Sequence, residues 1–459
     1  HLDPGYAPIS AYAAGIIEGR ITDLETFEAV FAWAHHIIIF FFLIYIPFSK
    51  HIHILGAIPN VFLRKLGHTG TLRRMDFEDE TAEKFGKSTF TDFTWKQLLD
   101  LYACTECGRC QAACPAYLTE KPLSPFKIMH NLREHFKAEM KPLLSDQDYE
   151  EKQIVPEIIS EDEMWACTTC GACVQECPPF NEHVQAIVDL RRYFVLTEAS
   201  FPQEAQPVFR NMEVNYNPWA FGYADRANWA EGLDVPLASE KNSFDVLYWI
   251  GCAGSFDDRG KEVSRAMVEL MNRAGVDFAI LGTEEKCCGD SARRMGNEYL
   301  AQMLIDSNIE TLKKYDFNRI VTTCPHGYNA LKVEYPQFGL EIPVVHHTEF
   351  LLELIREGKL KPTRIENGRG IYHDSCYLGR YNDIIDQPRA LLNSIEGVEL
   401  SEFGRRRKRS FCCGAGGGRM WLEETIGERI NENRVDEALG RGADQIFTAC
   451  PFCMTMFED

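Results

Sequence analysis

The sequence predicts a multidomain chain of mixed α+β and α/β class: a transmembrane helix, a helical module carrying two groups of four cysteines, and two repeated βα-type units. Three observations carry this prediction. One apolar run, Phe27 to Phe48, has the length of a membrane span, since about 20 mostly apolar residues cross a bilayer. Two runs of four cysteines follow, between Cys104 and Cys177. Behind them, four short apolar segments each run into a cysteine, with a Cys-Cys-Gly triplet between the members of each pair. The C-terminal half therefore reads as an internal repeat of roughly 110–125 residues.

With 459 residues, several domains are expected. Hydrophobic residues make up 45% and charged residues 25%, an ordinary globular balance that requires no long disordered part. The net charge of −20 argues against a nucleic-acid partner, which would favour a basic face. All 17 cysteines fall in CxxC-type or CCG-type motifs, so metal ligation is preferred to disulfides, and a reducing, cytosolic setting is expected for the domains that hold them. The chain begins with His1, and Cys453 lies six residues from its last residue, so both termini are expected to be cut.

Residues 1–66 read as the C-terminal part of a membrane domain with one span at about 27–48; a buried helix of a soluble core is the alternative. Glu18, Asp23, Glu25 and Glu28 precede or open the span, whereas Lys50, Arg64, Lys65, Arg73 and Arg74 follow it. The positive-inside rule then places the rest of the chain in the cytoplasm. His35 and His53 are eighteen residues apart, five whole turns of a continuous helix. That would set them on one face about 27 Å apart, close to the hydrocarbon thickness of about 30 Å. Such a pair suits two b haems stacked across the bilayer, with partner ligands from outside this segment. Pro47 lies between them and makes the alignment approximate.

Residues 67–90 form a linker, with a polar, acidic stalk from Asp76 to Lys87. Residues 91–200 hold the two cysteine groups among helical segments, and 201–243 read as an irregular connection. The first repeat, 244–360, has strands at FDVLYWIG and RIVTTCP with the amphipathic helix RAMVELMNRAG between them; the second, 361–459, has strands at RGIYHDSC and DQIFTACP.

The spacing Cys104-x2-Cys107-x2-Cys110-x3-Cys114-Pro115, repeated at Cys167, Cys170, Cys173 and Cys177, is that of a two-cluster ferredoxin, where the fourth cysteine of each run serves the other cluster. One [4Fe–4S] cluster is assigned to Cys104, Cys107, Cys110 and Cys177, the other to Cys167, Cys170, Cys173 and Cys114. Two zinc sites are the alternative, with the right ligand number but the wrong run. About fifty residues separate the runs, and in this the module resembles the helical ferredoxin of succinate dehydrogenase iron–sulfur subunits.

The vicinal pairs Cys287-Cys288 and Cys412-Cys413 are badly placed for a disulfide, because neighbouring Cα atoms lie about 3.8 Å apart and a bridge prefers roughly 4.4–6.8 Å. Adjacent thiolates can instead bind different irons of one open cluster, with the following glycine freeing the backbone. One copy offers Cys252, Cys287, Cys288 and Cys324, the other Cys376, Cys412, Cys413, Cys450 and Cys453; Gly327 stands where the second copy has Cys453. A zinc site in each copy is the alternative. His326, His346, His347 and His373 lie near strand ends and read either as proton shuttles or as packing residues. Arg405 to Arg409, RRRKR, reads as a solvated basic loop or a contact for an acidic redox partner.

The stretches YHDSCYLGRYN, FCCGAGGGRMW and TACPFCMTM resemble the cysteine-rich CCG domain of heterodisulfide reductase, in which each copy holds a noncubane [4Fe–4S] cluster on five cysteines. IPFSKHIHI resembles the end of the last helix of the nitrate reductase gamma subunit, a di-haem cytochrome b. From His35 onward the chain is similar to the fused membrane iron–sulfur oxidoreductases related to heterodisulfide reductase. The resemblance implies a noncubane cluster on the five cysteines of the second copy as the catalytic site. With four cysteines only, the first copy is expected to hold a smaller or ordinary cluster, recruit a non-cysteine ligand such as His326, or stay empty; equivalent clusters in both copies are the alternative. The resemblance further implies electron flow from electron-transfer flavoprotein, or another soluble donor, through clusters and haems to menaquinone, in a cell membrane with its iron–sulfur domains on the cytoplasmic side. Membrane lipid is then a partner. A thiol–disulfide or heterodisulfide reductase, and an electron-carrier subunit of a larger menaquinol-linked complex, are the rival expectations.

Overall fold

The computed structural model describes residues 7–17, 20, 23–145, 149–366 and 368–458; Glu18, counted above among the acidic residues before the span, lies outside them. A helix runs from Leu24 to Tyr45, opened by the Asp23 carboxylate, which accepts from the Thr26 amide at 3.0 Å. The stretch Glu25–Phe48 is long and apolar enough to cross a membrane, with a mean hydropathy of 2.1, and only 6% of its most apolar window is buried. A core helix would be covered by its own protein; this one leaves Ile37, Ile38, Phe40 and Phe41 exposed.

The structure corrects the continuous-helix reading of His35 and His53. The helix stops at Tyr45, a 3-10 turn covers Ile46–Phe48 with Pro47 in it, Ser49 is extended, and a second 3-10 turn covers Lys50–Ile52. His53 opens a separate helix, His53–Phe62. Proline lacks the amide that would continue the ladder, so the five-turn alignment of the two histidines lapses.

The helix His53–Phe62 lies against the helix Trp95–Ala103 of the next module. At Gly56 a Cβ would meet the Tyr102 carbonyl oxygen at 2.9 Å, so only glycine allows this approach. Asn60, fully buried, donates to Asp100 Oδ1 (2.9 Å), the Pro179 carbonyl (2.8 Å) and Asn181 Oδ1 (3.1 Å).

The linker is a strap: its backbone is held by Gln185 at Arg73, by Arg294 at Gly70, by Gln302 at Met75 and by Thr197 at Phe85, at 2.9–3.1 Å. Within it the acidic residues of the expected stalk, Asp76, Glu78, Asp79, Glu80 and Glu83, are exposed, as their composition implies. Beneath the strap, Arg192 and Arg293 share the Glu298 carboxylate (2.6 and 3.0 Å), and Arg293 and Arg294 share Glu334 (2.9 and 2.5 Å). The Arg192–Glu298 pair joins the helix His183–Leu196 of the cysteine module to the first repeat, and the others brace Glu298 and Glu334 within that repeat. The connection 201–243 also differs from expectation: Ala205–Asn215 is α-helical, burying Val208, Phe209 and Met212 on one face.

Each repeat is built on a parallel sheet. In the first, β1 (Val246–Trp249), β2 (Phe278–Ala279), β3 (Arg319–Thr322) and β4 (Val344–His346) take the order β2-β1-β3-β4. In the second, β5 (Gly368–His373), β6 (Val398–Glu402) and β7 (Ile446–Thr448) take the order β6-β5-β7. The four segments read as strands are β1 and β3, the central pair of the first sheet, and β5 and β7, the centre and one edge of the second. The helix Asp258–Arg273 covers the expected RAMVELMNRAG segment to within a few residues. Parallel strands all end on the same side, so each sheet delivers its cysteines to one edge.

Candidate metal centres

Cys252, Cys324, Cys376 and Cys450 follow the C-terminal ends of β1, β3, β5 and β7 by two or three residues. The vicinal pairs enter from the loops after β2 and β6. The glycine after each pair has positive φ, +86° at Gly289 and +101° at Gly414, a region that disfavours any side chain. In the second repeat Cys376 contacts Cys412, Cys413 contacts Cys453, and Cys450 contacts Cys453. In the first, Cys252 contacts Cys287, and Cys324 lies beside Cys288.

The helical module is arranged as its spacing implies. Cys177 neighbours Cys104 and Cys110, while Cys114 neighbours Cys167 and Cys170. The fourth cysteine of each run thus stands with the other run's first three. Gly108 and Gly171, both at φ +73°, turn the ligand loops, and backbone amides reach sulfur at Thr169 to Cys167 (3.4 Å) and Asn181 to Cys177 (3.3 Å).

Every one of the cysteines is a free thiol, and all but Cys107 are at least half-buried. Burial pushes the Cys110 thiol up to about 11 and the Cys177 thiol up to about 12, each raised further by neighbouring cysteines. Buried sulfurs in mutual contact, without disulfides, fit metal ligation: a metal that displaces the protons removes the cost of ionising them in a dry site. Four grouped thiols in each half of the helical module fit a cubane cluster, and the five in the second repeat fit a larger thiolate set than the four in the first.

The groups form a row. The Cys170 thiol is in hydrogen-bonding contact with Cys412, so the second ferredoxin group abuts the second repeat. The glycines of GAGGG make that approach possible: a Cβ on Gly416 would lie 2.3 Å from the Thr168 carbonyl oxygen, and one on Gly417 2.4 Å from that of Cys167. Arg191, buried, clamps the junction through the carbonyls of Cys167 (2.7 Å) and Gly417 (3.0 Å), and burial lowers it to about 10. Cys173 neighbours Cys110, joining the two ferredoxin groups. Cys177, through Asn181, reaches Asn60 on the helix that follows the apolar span. At the other end, Cys324 of the first repeat lies beside Cys450 of the second.

Of the histidines, His326 bridges its own repeat to the other. Its Nδ1 bonds Asp290 Oδ2 at 2.8 Å, its ring stacks on Tyr377 at 3.9 Å, and it sits against Cys450 of the second site. Burial opposes its charge, but Asp290 and Cys450 outweigh that and raise it to about 10. His373 groups with Cys413 and Cys453, their ligand atoms within 4.8 Å of one another; burial, then Arg434, holds it neutral. His346 bonds Thr348 Oγ1 at 2.9 Å, and burial lowers His347 to about 4, as expected of packing residues. Sequence reasoning missed Arg226, which lies 3.5 Å from Cys252 Sγ and 2.7 Å from Glu285 Oε1; its polar surroundings, with Asp225 and Asn228 beside it, gave no signal of burial.

Comparison with known proteins agrees with this geometry. The family described as a cysteine-rich domain matches residues 246–332 and 371–458, and a 4Fe-4S dicluster domain matches 96–178. The chain is 42% identical over 466 residues to a probable iron–sulfur-binding oxidoreductase of Bacillus subtilis, and 44% identical over 460 residues to an EtfAB:quinone oxidoreductase of Syntrophomonas wolfei. Each alignment covers 93% of this chain, which spans 66% and 64% of those relatives. It is also 31% identical over 380 residues to one component of the dihydromethanophenazine:CoB–CoM heterodisulfide reductase of Methanosarcina barkeri, covering 80% of this chain and 91% of that one.

Proposed function

We propose that this chain, which belongs to the CCG-domain iron–sulfur oxidoreductases related to heterodisulfide reductase, carries electrons between a soluble flavoprotein and a membrane quinone. The observation that carries this reading is the row of sulfur groups. It runs from the second repeat through Cys170 and Cys412, across both ferredoxin groups, to Cys177, Asn181 and Asn60 on the helix that follows the apolar span in the chain. Clusters bound there supply one-electron carriers. The chain's own residues space the carriers, donate amide hydrogen bonds to their sulfurs and exclude water. Electron-transfer flavoprotein is the donor and menaquinone the acceptor in this reading, consistent with the activity that the Syntrophomonas wolfei relative is named for. The apolar helix anchors the chain in the cell membrane, with the cysteine-bearing modules on the cytoplasmic side. The finer assignment of two b haems rests on His35 and His53, now on separate helices, and on partner ligands outside this segment.

Anaerobic mixing of the full-length protein with reduced electron-transfer flavoprotein tests the donor: cluster absorbance bleaches, and a menaquinone analogue then restores it. Pyridine haemochrome analysis tests the haems; His35→Ala removes one of two, and a haem-free preparation with intact clusters refutes them.

One observation favours a second reading. Cys324 and Cys450 bring the two repeats' sulfur sites side by side, an arrangement suited to a disulfide held between two thiolate-bound centres. Oxidation of the reduced protein by a disulfide, faster than by a quinone, would transfer the assignment to a thiol–disulfide reductase.

A further inference from the structure

A cavity of about 250 Å³ opens where the ferredoxin module meets the second repeat, and its floor is made by chain neighbours of the cluster cysteines. Ala113 precedes Cys114, Ala172 lies between Cys170 and Cys173, and Phe411 precedes Cys412. Its walls carry five cationic side chains, Arg109, Arg380, Arg405, Lys408 and Arg409, against one carboxylate, Glu176. Three of the cations are paired: Arg409 with Glu176 (2.8 Å), Arg405 with Glu437 (3.2 Å), and Lys408 with Asp383. Arg109 has no carboxylate within 4.0 Å among the described residues. Neither has Arg380, which is buried and spends its donors on the carbonyls of Cys170 (2.8 Å), Lys408 (2.9 Å) and Ser410 (2.5 Å). Arg405 stacks on Phe411 at 3.8 Å, which ties the cationic rim to the residue before Cys412. With two of its five cations lacking a carboxylate partner, the mouth over the junction of two sulfur groups carries a local positive excess on a chain of net charge −20.

We infer that this mouth is the electron-entry port: the docking site for an acidic surface loop of the soluble donor, a reduced flavoprotein. The acidic remainder of the chain repels such a partner elsewhere and the mouth attracts it, so the encounter is oriented onto the Cys170–Cys412 junction. In each productive encounter the donor's flavin is oxidised by one electron and one cluster is reduced by one. No bond to the chain forms or breaks, and the flavin's proton leaves to water. The inference deepens the proposed function and rests on its flavoprotein-donor reading.

The test is anaerobic stopped-flow reduction of the full-length, cluster-loaded protein and of R109E/R409E, a double variant at two exposed side chains that ligate nothing. Three reductants are used: reduced electron-transfer flavoprotein, reduced flavodoxin as a second acidic flavoprotein, and reduced methyl viologen. Expected is a wild-type rate with a flavoprotein that falls as ionic strength rises. The variant is about tenfold slower with that flavoprotein at low salt, is no longer slowed as ionic strength rises, and is no slower than wild type with methyl viologen, which also reports that its clusters are intact. R109Q/R409Q falls between, and serves if the charge reversal impairs folding. A variant as fast as wild type, or a salt-independent wild type, overturns the port while leaving the donor reading in place. If only flavodoxin reduces the wild type, and the variant slows it, the port stands and the donor reading falls. Reduction by neither flavoprotein overturns both.

Discussion

Gly327 is where the two repeats diverge chemically. A Cβ built there would lie 3.7 Å from Thr322 Oγ1 and from Trp249 Nε1, ordinary contacts, so a cysteine has room at its root. The Gly327→Cys variant is expected to supply a fifth thiol to the first site and to change its cluster type. Iron content and low-temperature EPR check this: wild type should show one noncubane signature and the variant two, and two identical signatures in wild type would refute the asymmetry. His326 supplies a second residue-scale prediction. Held by Asp290 and set against Cys450, it gives the second site a hydrogen bond that Phe452, its counterpart in the other repeat, could not. His326→Phe should lower the reduction potential of the second-repeat cluster, since a lost donor to sulfur destabilises the more negative state. His326→Gln, which keeps an N–H, should restore part of it, and a potential unmoved in both variants would assign the histidine to packing alone.

Among elements, the helix His53–Phe62 matters most, because it follows the apolar span in chain order and belongs by packing to the ferredoxin module. Asn60→Leu removes three buried contacts at once and leaves the Pro179 carbonyl and Asn181 Oδ1 without that donor, while Asp100 Oδ1 keeps Lys96, a loss of about 2–3 kcal/mol. The expected readout is a lowered Tm of the solubilised protein with the cluster spectra retained, together with slower electron delivery to a quinone. An unchanged Tm would mean that this helix is not anchored as described. The helix was legible only in part: its apolar residues are in the sequence, but the break at Pro47 and Ser49 that separates it from the span is a backbone event a periodicity argument averages over. The tethering of residues 70–75, just before the acidic stalk, was not legible for a related reason, since the partners of their backbone, Arg294, Gln185 and Gln302, lie more than a hundred residues away.

At the scale of the molecule, the thiols set the response to pH and metal removal. Cys110 and Cys177, free of metal, are raised by burial to about 11 and 12 from an ordinary 9.0. A raised thiol contributes stability that is fully present below pH 9 and is lost as pH climbs through the folded value. Metal-free protein should therefore weaken between about pH 9 and 12. The cluster-loaded form, whose cysteines are already ligating thiolates, should lack this loss and release iron instead in acid, where protons compete for sulfur. Anaerobic urea titrations of both forms at pH 8 and pH 10 check it; equal loss in both would show that these thiols do not ligate.

The cysteine spacings and the repeat were sufficient by themselves to establish the family, the parallel βα architecture and the exchange of the fourth ferredoxin cysteine. Ligand loops are local, and their geometry follows from a few residues and a glycine. What joins them is not local. The contact of Cys170 with Cys412, the turning of His326 toward the other repeat, and the basic mouth built from residues 109, 380 and 405–409 come from segments up to three hundred residues apart. They are decided by how apolar cores and buried ion pairs bring three modules together, because packing depends on surfaces that exist only once each module has folded. Sequence thus determined which carriers the chain can hold, and tertiary structure alone determined their order.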